Sequence, residues 1–174
     1  MPKASRDSSY LRYSSKLKCV LSFKDEEMYE KPGYKALRKG RVSIPNQIYH
    51  LTTSTADRYP YFCDFNTARL LIRALNQSNV NTLAYVVMPD HFHWLIRLTE
   101  SSPDLSTIMR GIKTGVSKNR STRKKVMWQR GFYDRSIRKE EDLEAVARYI
   151  ICNPIRAGIT HSLREYPHWD AIWV

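Results

Sequence analysis

Two histidines flank one phenylalanine in His91-Phe92-His93. Side chains alternate along an extended strand, so both imidazoles fall on one face, with Phe92 and Trp94 on the other. Two imidazoles a strand-step apart can share a divalent metal ion, because neutral imidazole is a common transition-metal ligand. Read alone, such a pair serves a structural or surface role equally well. A second group lies in Tyr149-Ile150-Ile151-Cys152-Asn153-Pro154. On a helix, Tyr149 and Asn153 are i and i+4 neighbours on one side. With Leu143 set at zero and 100° per residue, the apolar stripe centres near roughly 0°, while Tyr149 falls near about 240° and Asn153 near about 280°. Both border the buried face, from which a phenol and an amide oxygen could reach a cleft beside a sheet. The same placement suits a boundary tyrosine with its hydroxyl in water and an asparagine ending a helix before proline.

Charge indicates what such a cleft would hold. The 174 residues carry 29 basic and 17 acidic side chains, a net +12. Between Asp104 and Lys139 eleven basic residues, among them Arg110, Lys113, Lys118, Arg120, Lys124, Lys125, Arg130, Arg135 and Arg138, face only Asp104 and Asp134. Scattered charge is ordinarily a solvated face; concentrated Lys and Arg are suited to neutralising phosphates, which points to nucleic acid. No apolar run approaches the roughly 20 residues that span a bilayer, and the N-terminus lacks an apolar signal core, so a membrane partner is not expected. Cys19, Cys63 and Cys152 are odd in number and far apart. Neither a disulfide framework nor a cysteine zinc site follows, and reduced thiols suit a cytoplasmic protein.

The elements that must position these residues are legible in outline. Residues 1–41 lack periodicity and read as a basic, loosely ordered arm; residues 42–174 read as one compact domain. Gln47 to Ser54 reads as a strand, and Asn66 to Gln77 as a helix capped by Asp64. Leu83 to Met88 and His91 to Leu98 are strands joined by a Pro89-Asp90 turn. Leu105, Ile108, Met109, Ile112 and Val116 make one apolar helical stripe after Asp104, with Arg110, Lys113 and Lys118 off it. Val126 to Ile137 reads as a strand, irregular around Gly131. Glu140 to Cys152 is the strongest helix, with Glu140, Glu141, Asp142 and Glu144 crowding its first turns. Pro154 disturbs its end, and Gly158 stops any continuation. This order predicts an α+β, ferredoxin-like sandwich: a central antiparallel sheet carrying the histidine pair, with helices on one face.

Three segments in order make the pattern specific: Met88-Pro89-Asp90 followed by His91-Phe92-His93; Trp128-Gln129-Arg130-Gly131-Phe132-Tyr133-Asp134; and Tyr149 through Gly158. Together, over about residues 43 to 160, they resemble the HUH single-tyrosine transposases, and within them the REP-associated tyrosine transposases of bacteria. The resemblance implies that His91 and His93 bind Mg²⁺ or Mn²⁺, that Asn153 is the third protein ligand, and that Tyr149 is the nucleophile. Many relatives outside the REP group carry glutamine in place of the shorter Asn153. It further implies a substrate of single-stranded or hairpin DNA cut through a 5′-phosphotyrosine link, and a monomer rather than a homodimer, working in the cytoplasm beside the nucleoid.

A free phenol has a pKa of about 10, so a metal that draws charge from the phosphate would help the attack. Arg156, two turns beyond Tyr149, is the first candidate to stabilise the added charge, with Arg135 and Arg138 behind it; each could equally form a surface salt bridge. Trp128 and Tyr133 could stack on unpaired bases, and Trp128 suits core packing as well. No Gly-rich phosphate loop and no acidic cluster of the two-metal nuclease kind is visible. Two other readings remain: a non-catalytic hairpin-binding regulator on the same fold, and a replication or conjugation initiator, whose usual extra domains find no room in 174 residues.

Overall fold

The computed structural model describes residues 42–120, 126–138 and 141–173. The expected arm over 1–41 and the candidate contacts Lys124 and Lys125 lie outside the described residues. The elements are β1 (Ile48–Ser54), α1 (Phe65–Asn76), β2 (Asn81–Met88), β3 (His91–Arg97), α2 (Leu105–Asn119), β4 (Tyr133–Ser136), α3 (Leu143–Ile151), a second helical turn α4 (Asn153–Arg156) and β5 (Trp169–Ala171). The five strands form one antiparallel sheet in the order β4-β1-β3-β2-β5. Central β3 is thereby flanked by the β1 and β2 strands, and its histidines are held from both sides.

Strand parity divides the apolar residues into two cores. Tyr49, Leu51, Tyr85, Val87, Phe92, Trp94 and Ile96 face α1 and α2, whose Ala68, Leu71, Leu75, Ile108, Met109 and Ile112 complete one layer. Ala84, Val86, Met88 and Leu95 face the other way, against Ala147, Ile150 and Ile151 of α3. The α+β class and the antiparallel sheet stand as expected, but helices cover both faces rather than one. The reason lies in β2, whose last six residues are all buried: a strand apolar on both sides needs a layer on each.

The helices start where their caps dictate. The Asp64 carboxylate accepts from the Thr67 amide at 2.9 Å, and Asp104 accepts from the Thr107 amide at 3.0 Å. Each such cap is worth about 1 kcal/mol. For α3 the cap is Asp142, which accepts from the amides of Glu144 and Ala145, so the helix begins at Leu143 and not at Glu140. Glu141 lies before that cap and turns to Arg135 and to the Arg138 amide. Cys152 (φ −78°, ψ 0°) leaves the helical basin, so α4 starts a new turn, and Gly158 at φ +65° ends it.

The expected strand over Val126 to Ile137 shrinks to Tyr133–Ser136, with one isolated bridge from Trp128 to Thr55. The indole of Trp128 is pulled into the core beside Phe62 and Phe92, and its Nε1 donates to the Lys113 carbonyl. Gly131 at φ +77° then breaks the pleat between the two pairings. Strand β5 was not expected: three residues are too short to display alternation. No helix among the described residues is long and apolar enough to cross a membrane.

Candidate active site

His91 opens β3 and His93 follows two residues on, their ring centroids 5.0 Å apart and edge to face. Both lie on the α3 side of the sheet, since their parity is that of Leu95. Each ring is oriented through Nδ1. For His91 the partner is the Asp90 carboxylate at 2.6 Å. For His93 the partners are the Thr52 hydroxyl at 3.0 Å and His50 Nε2 at 3.1 Å. Strand register brings these groups together: Thr52 of β1 is directly opposite His93, and Tyr133 of β4 is opposite Thr52. One row across the sheet therefore reads Tyr133, Thr52, His93.

Burial favours the neutral form of His93 and of His50. Burial, followed by the neighbouring charges of His91, His50, Arg156 and Arg58, holds His93 well below its ordinary pKa. Burial, and then Arg135, lowers His50 to about 4. Burial works to raise the Asp90 carboxyl, but the His91 hydrogen bond, with the charges of His91 and Arg58, overrides it and leaves it below its ordinary value. A neutral imidazole whose Nδ1 is engaged by a carboxylate or hydroxyl keeps the Nε2 lone pair for a cation, the usual arrangement behind a metal-binding histidine. The pair thus fits a divalent metal. Among the described residues no group of three or more His, Cys, Asp or Glu could hold one.

Tyr149 and Asn153 sit on either side of the break between α3 and α4. Tyr149 is 58% exposed although its helix is packed on the sheet. The Arg156 guanidinium lies over its ring, 3.5 Å from the centroid, and donates to the Asn153 side-chain oxygen at 2.6 Å. Asn153 in turn donates to the Ile150 carbonyl at 2.8 Å, which fixes the rotation of its amide. The amide oxygen keeps a second lone pair beyond the one that Arg156 uses. Arg156 thus ties the Tyr149 ring to Asn153, and its charge is among those that hold His93 low.

The other sequence-selected cations divide. Arg135 is on the histidine face, opposite His50, and both its terminal nitrogens meet Glu141 at 2.8 and 2.6 Å. Arg138 and Arg130 are exposed on the segments flanking β4, and Lys118 is exposed on α2. Lys113 is turned inward, its Nζ bonded to the carbonyls of Gln129 and Gly131, and Arg120 is buried 4.9 Å from the Tyr61 ring centroid. Helix α2 packs on the sheet face opposite the histidines, so its cations are not gathered with Tyr149. Sequence reasoning missed His50, Thr52 and Asp90. Asp90 had a signal in its adjacency to His91, whereas His50 and Thr52 needed the β1–β3 register.

A model of the family described as IS200-like transposase matches residues 43–153, which contain both histidines, Tyr149 and Asn153. The chain belongs to that family. Among similar IS200-like proteins, one from Haemophilus influenzae, described as a REP-associated tyrosine transposase, is 29% identical over 99 residues, covering 50% of this chain and 56% of the relative. A REP-associated tyrosine transposase of Escherichia coli is 31% identical over 84 residues, covering 48% and 50%. The chain thus spans about half the length of the curated relatives it matches. A solved structure of a REP-associated tyrosine transposase bound to a REP hairpin shares the fold. Its TM-score is 0.63 at 24% identity, covering 74% of this chain and 79% of that one. The likeness to the REP-associated branch, which the three motifs carry, recurs in these relatives over about half of the chain.

Proposed function

We propose that the protein is a metal-dependent endonuclease and strand transferase acting on single-stranded DNA at hairpin sites of the REP type. The observation that carries this reading is the shared guanidinium of Arg156. It stacks on an exposed phenol and holds the side-chain oxygen of Asn153.

In this reading His91, His93 and Asn153 hold Mg²⁺ or Mn²⁺. When bound, the ion supplies charge neutralisation at the scissile phosphate and orients it. Tyr149 Oη attacks phosphorus, losing its proton as the new P–O bond forms. The bond to the 3′ oxygen breaks, and that oxygen leaves as a free 3′-hydroxyl after taking up a proton. The 5′-phosphotyrosine link conserves the ester, so a later 3′-hydroxyl can reverse the reaction on another strand without ATP. Arg156 lies over the ring of the attacking phenol, from which a guanidinium could move to accompany the growing negative charge. Arg130, Arg135, Arg138, Lys118 and Tyr133 would contribute further DNA contacts, Arg135 only by sharing its charge with Glu141. The protein would work as a monomer in the cytoplasm, beside the nucleoid.

The test is a cleavage assay with Mn²⁺ on a labelled single-stranded hairpin library, comparing wild type with Tyr149→Phe and His91→Ala on denaturing gels. A fragment linked to the protein through its 5′ phosphate, and lost in both variants, is the expected result. Binding with no adduct across several metals would remove the nuclease and leave a hairpin-binding regulator.

A further inference from the structure

The loop after β1 is stitched to the turn that precedes His91. Thr55 donates its amide to the Asp90 carbonyl at 2.8 Å, and Phe62 donates to the Pro89 carbonyl at 2.9 Å. Inside this loop Asp57 and Arg58 both adopt left-handed backbone, at φ +53° and +51°. For residues other than glycine that conformation is disfavoured and persists only where the surroundings impose it. Here it turns the Arg58 side chain back to the sheet edge. Its guanidinium donates to Ser54 Oγ at 3.2 Å and lies 3.5 Å from Asp90, the residue whose other oxygen orients His91. Ser54 is the strand partner of His91. Arg58 nevertheless keeps a 46% exposed side chain, and its charge acts on His93.

The next residue, Tyr59, is 45% exposed and rests against the ring of Tyr61, centroids 4.6 Å apart. Tyr61 is itself buried, with Arg120 4.9 Å from its ring. An aromatic pair anchored in the core therefore surfaces at Tyr59, one residue from a guanidinium beside the histidine pair. Base on ring and phosphate on cation is how single strands are held without sequence readout.

The geometry points to a nucleotide subsite on this loop: Tyr59 stacks on an unpaired base, and Arg58 contacts the adjoining phosphate of the strand entering the active site. The inference rests on the single-strand reading above and adds a second cation, beside Asp90 and Ser54. Arg58 and Tyr59 belong to no segment that the sequence reading selected, because the register that carries the loop to His91 is tertiary.

The test measures binding without cutting. In a Tyr149→Phe background and with EDTA, fluorescence anisotropy compares a twelve-nucleotide oligo-dT with an abasic strand of the same length, which keeps the phosphates and lacks the bases. Tyr59→Ala should weaken the oligo-dT about tenfold and leave the abasic strand unchanged, while Tyr59→Phe, which keeps the ring, binds both as the parent does. Arg58→Gln should weaken both strands and lower the salt slope by about 0.7, and Arg58→Lys should restore most of the loss. Equal weakening of both strands by Tyr59→Ala, or no change with either residue, overturns the subsite. A parent protein that binds neither strand overturns the subsite together with the single-strand reading. If the binding differences hold but no Tyr149-dependent adduct forms, the subsite stands and the enzymatic reading fails.

Discussion

At the scale of single residues, the site depends on groups that never touch the proposed metal. Asp90 orients His91 through a 2.6 Å hydrogen bond, and Thr52 and His50 do the same for His93. Removing a carboxylate behind a ligand histidine costs roughly 10–100-fold in metal affinity, because the ring loses both its tautomer and its orientation. Asp90→Asn is accordingly expected to weaken Mn²⁺ binding by at least about tenfold in calorimetric titration. Unchanged affinity would mean that the His91 ring is held by packing alone.

At the scale of elements, what matters is where α3 begins and what β5 brings to the sheet. The α3 helix carries Tyr149 and relies on Asp142 for its start. Asp142→Ala should cost about 1 kcal/mol in chemical unfolding, as should Asp64→Ala on α1. Only the former should also reduce adduct formation, because α1 lies on the opposite face from the histidines. Equal activity in the two variants would show that fraying at Asp142 does not reach Tyr149. Strand β5 follows His168, which is buried against Phe65 and Tyr166, and burial lowers its pKa to about 4. The folded value lies below the unfolded value of about 6.5, so the unfolded chain binds more protons between them. Stability is fully present above about pH 6.5 and falls as pH drops towards 4, by on the order of 3 kcal/mol for this group. Urea unfolding at pH 7 and pH 4.5 would measure the fall, and His168→Phe should flatten it by the share of that residue. An identical fall in the variant would assign it to other groups, such as His50.

At the scale of the whole molecule, a net +12 predicts an electrostatic grip on a polyanion. Affinity for single strands should fall linearly with salt on logarithmic axes, with a slope of about −0.7 for each phosphate neutralised. The structure distributes that grip unevenly. Lys118 belongs to a helix behind the sheet, whereas the charges of Arg156 and Arg58 both act on His93. Lys118→Ala should therefore lower the slope less than Arg156→Ala when both are titrated on the same hairpin. Equal reductions would mean that DNA wraps both faces.

The sequence by itself determined the residue types, their order and their local periodicity. It therefore determined the histidine pair on one strand face, the tyrosine and asparagine one turn apart, the cap at Asp64, and the apolar stripe of α2. These follow from interactions spanning a few positions, which a chain displays in its own spacing. The tertiary structure decided what depends on register and layering. It placed helices on both sides of the sheet, set Thr52 and His50 against His93, turned Lys113 and Arg120 inward, and folded Arg58 back to Asp90. Such contacts join residues 16 or more positions apart, 16 for Lys113 and Gln129 and 41 for Thr52 and His93, and no local pattern encodes which strand pairs with which.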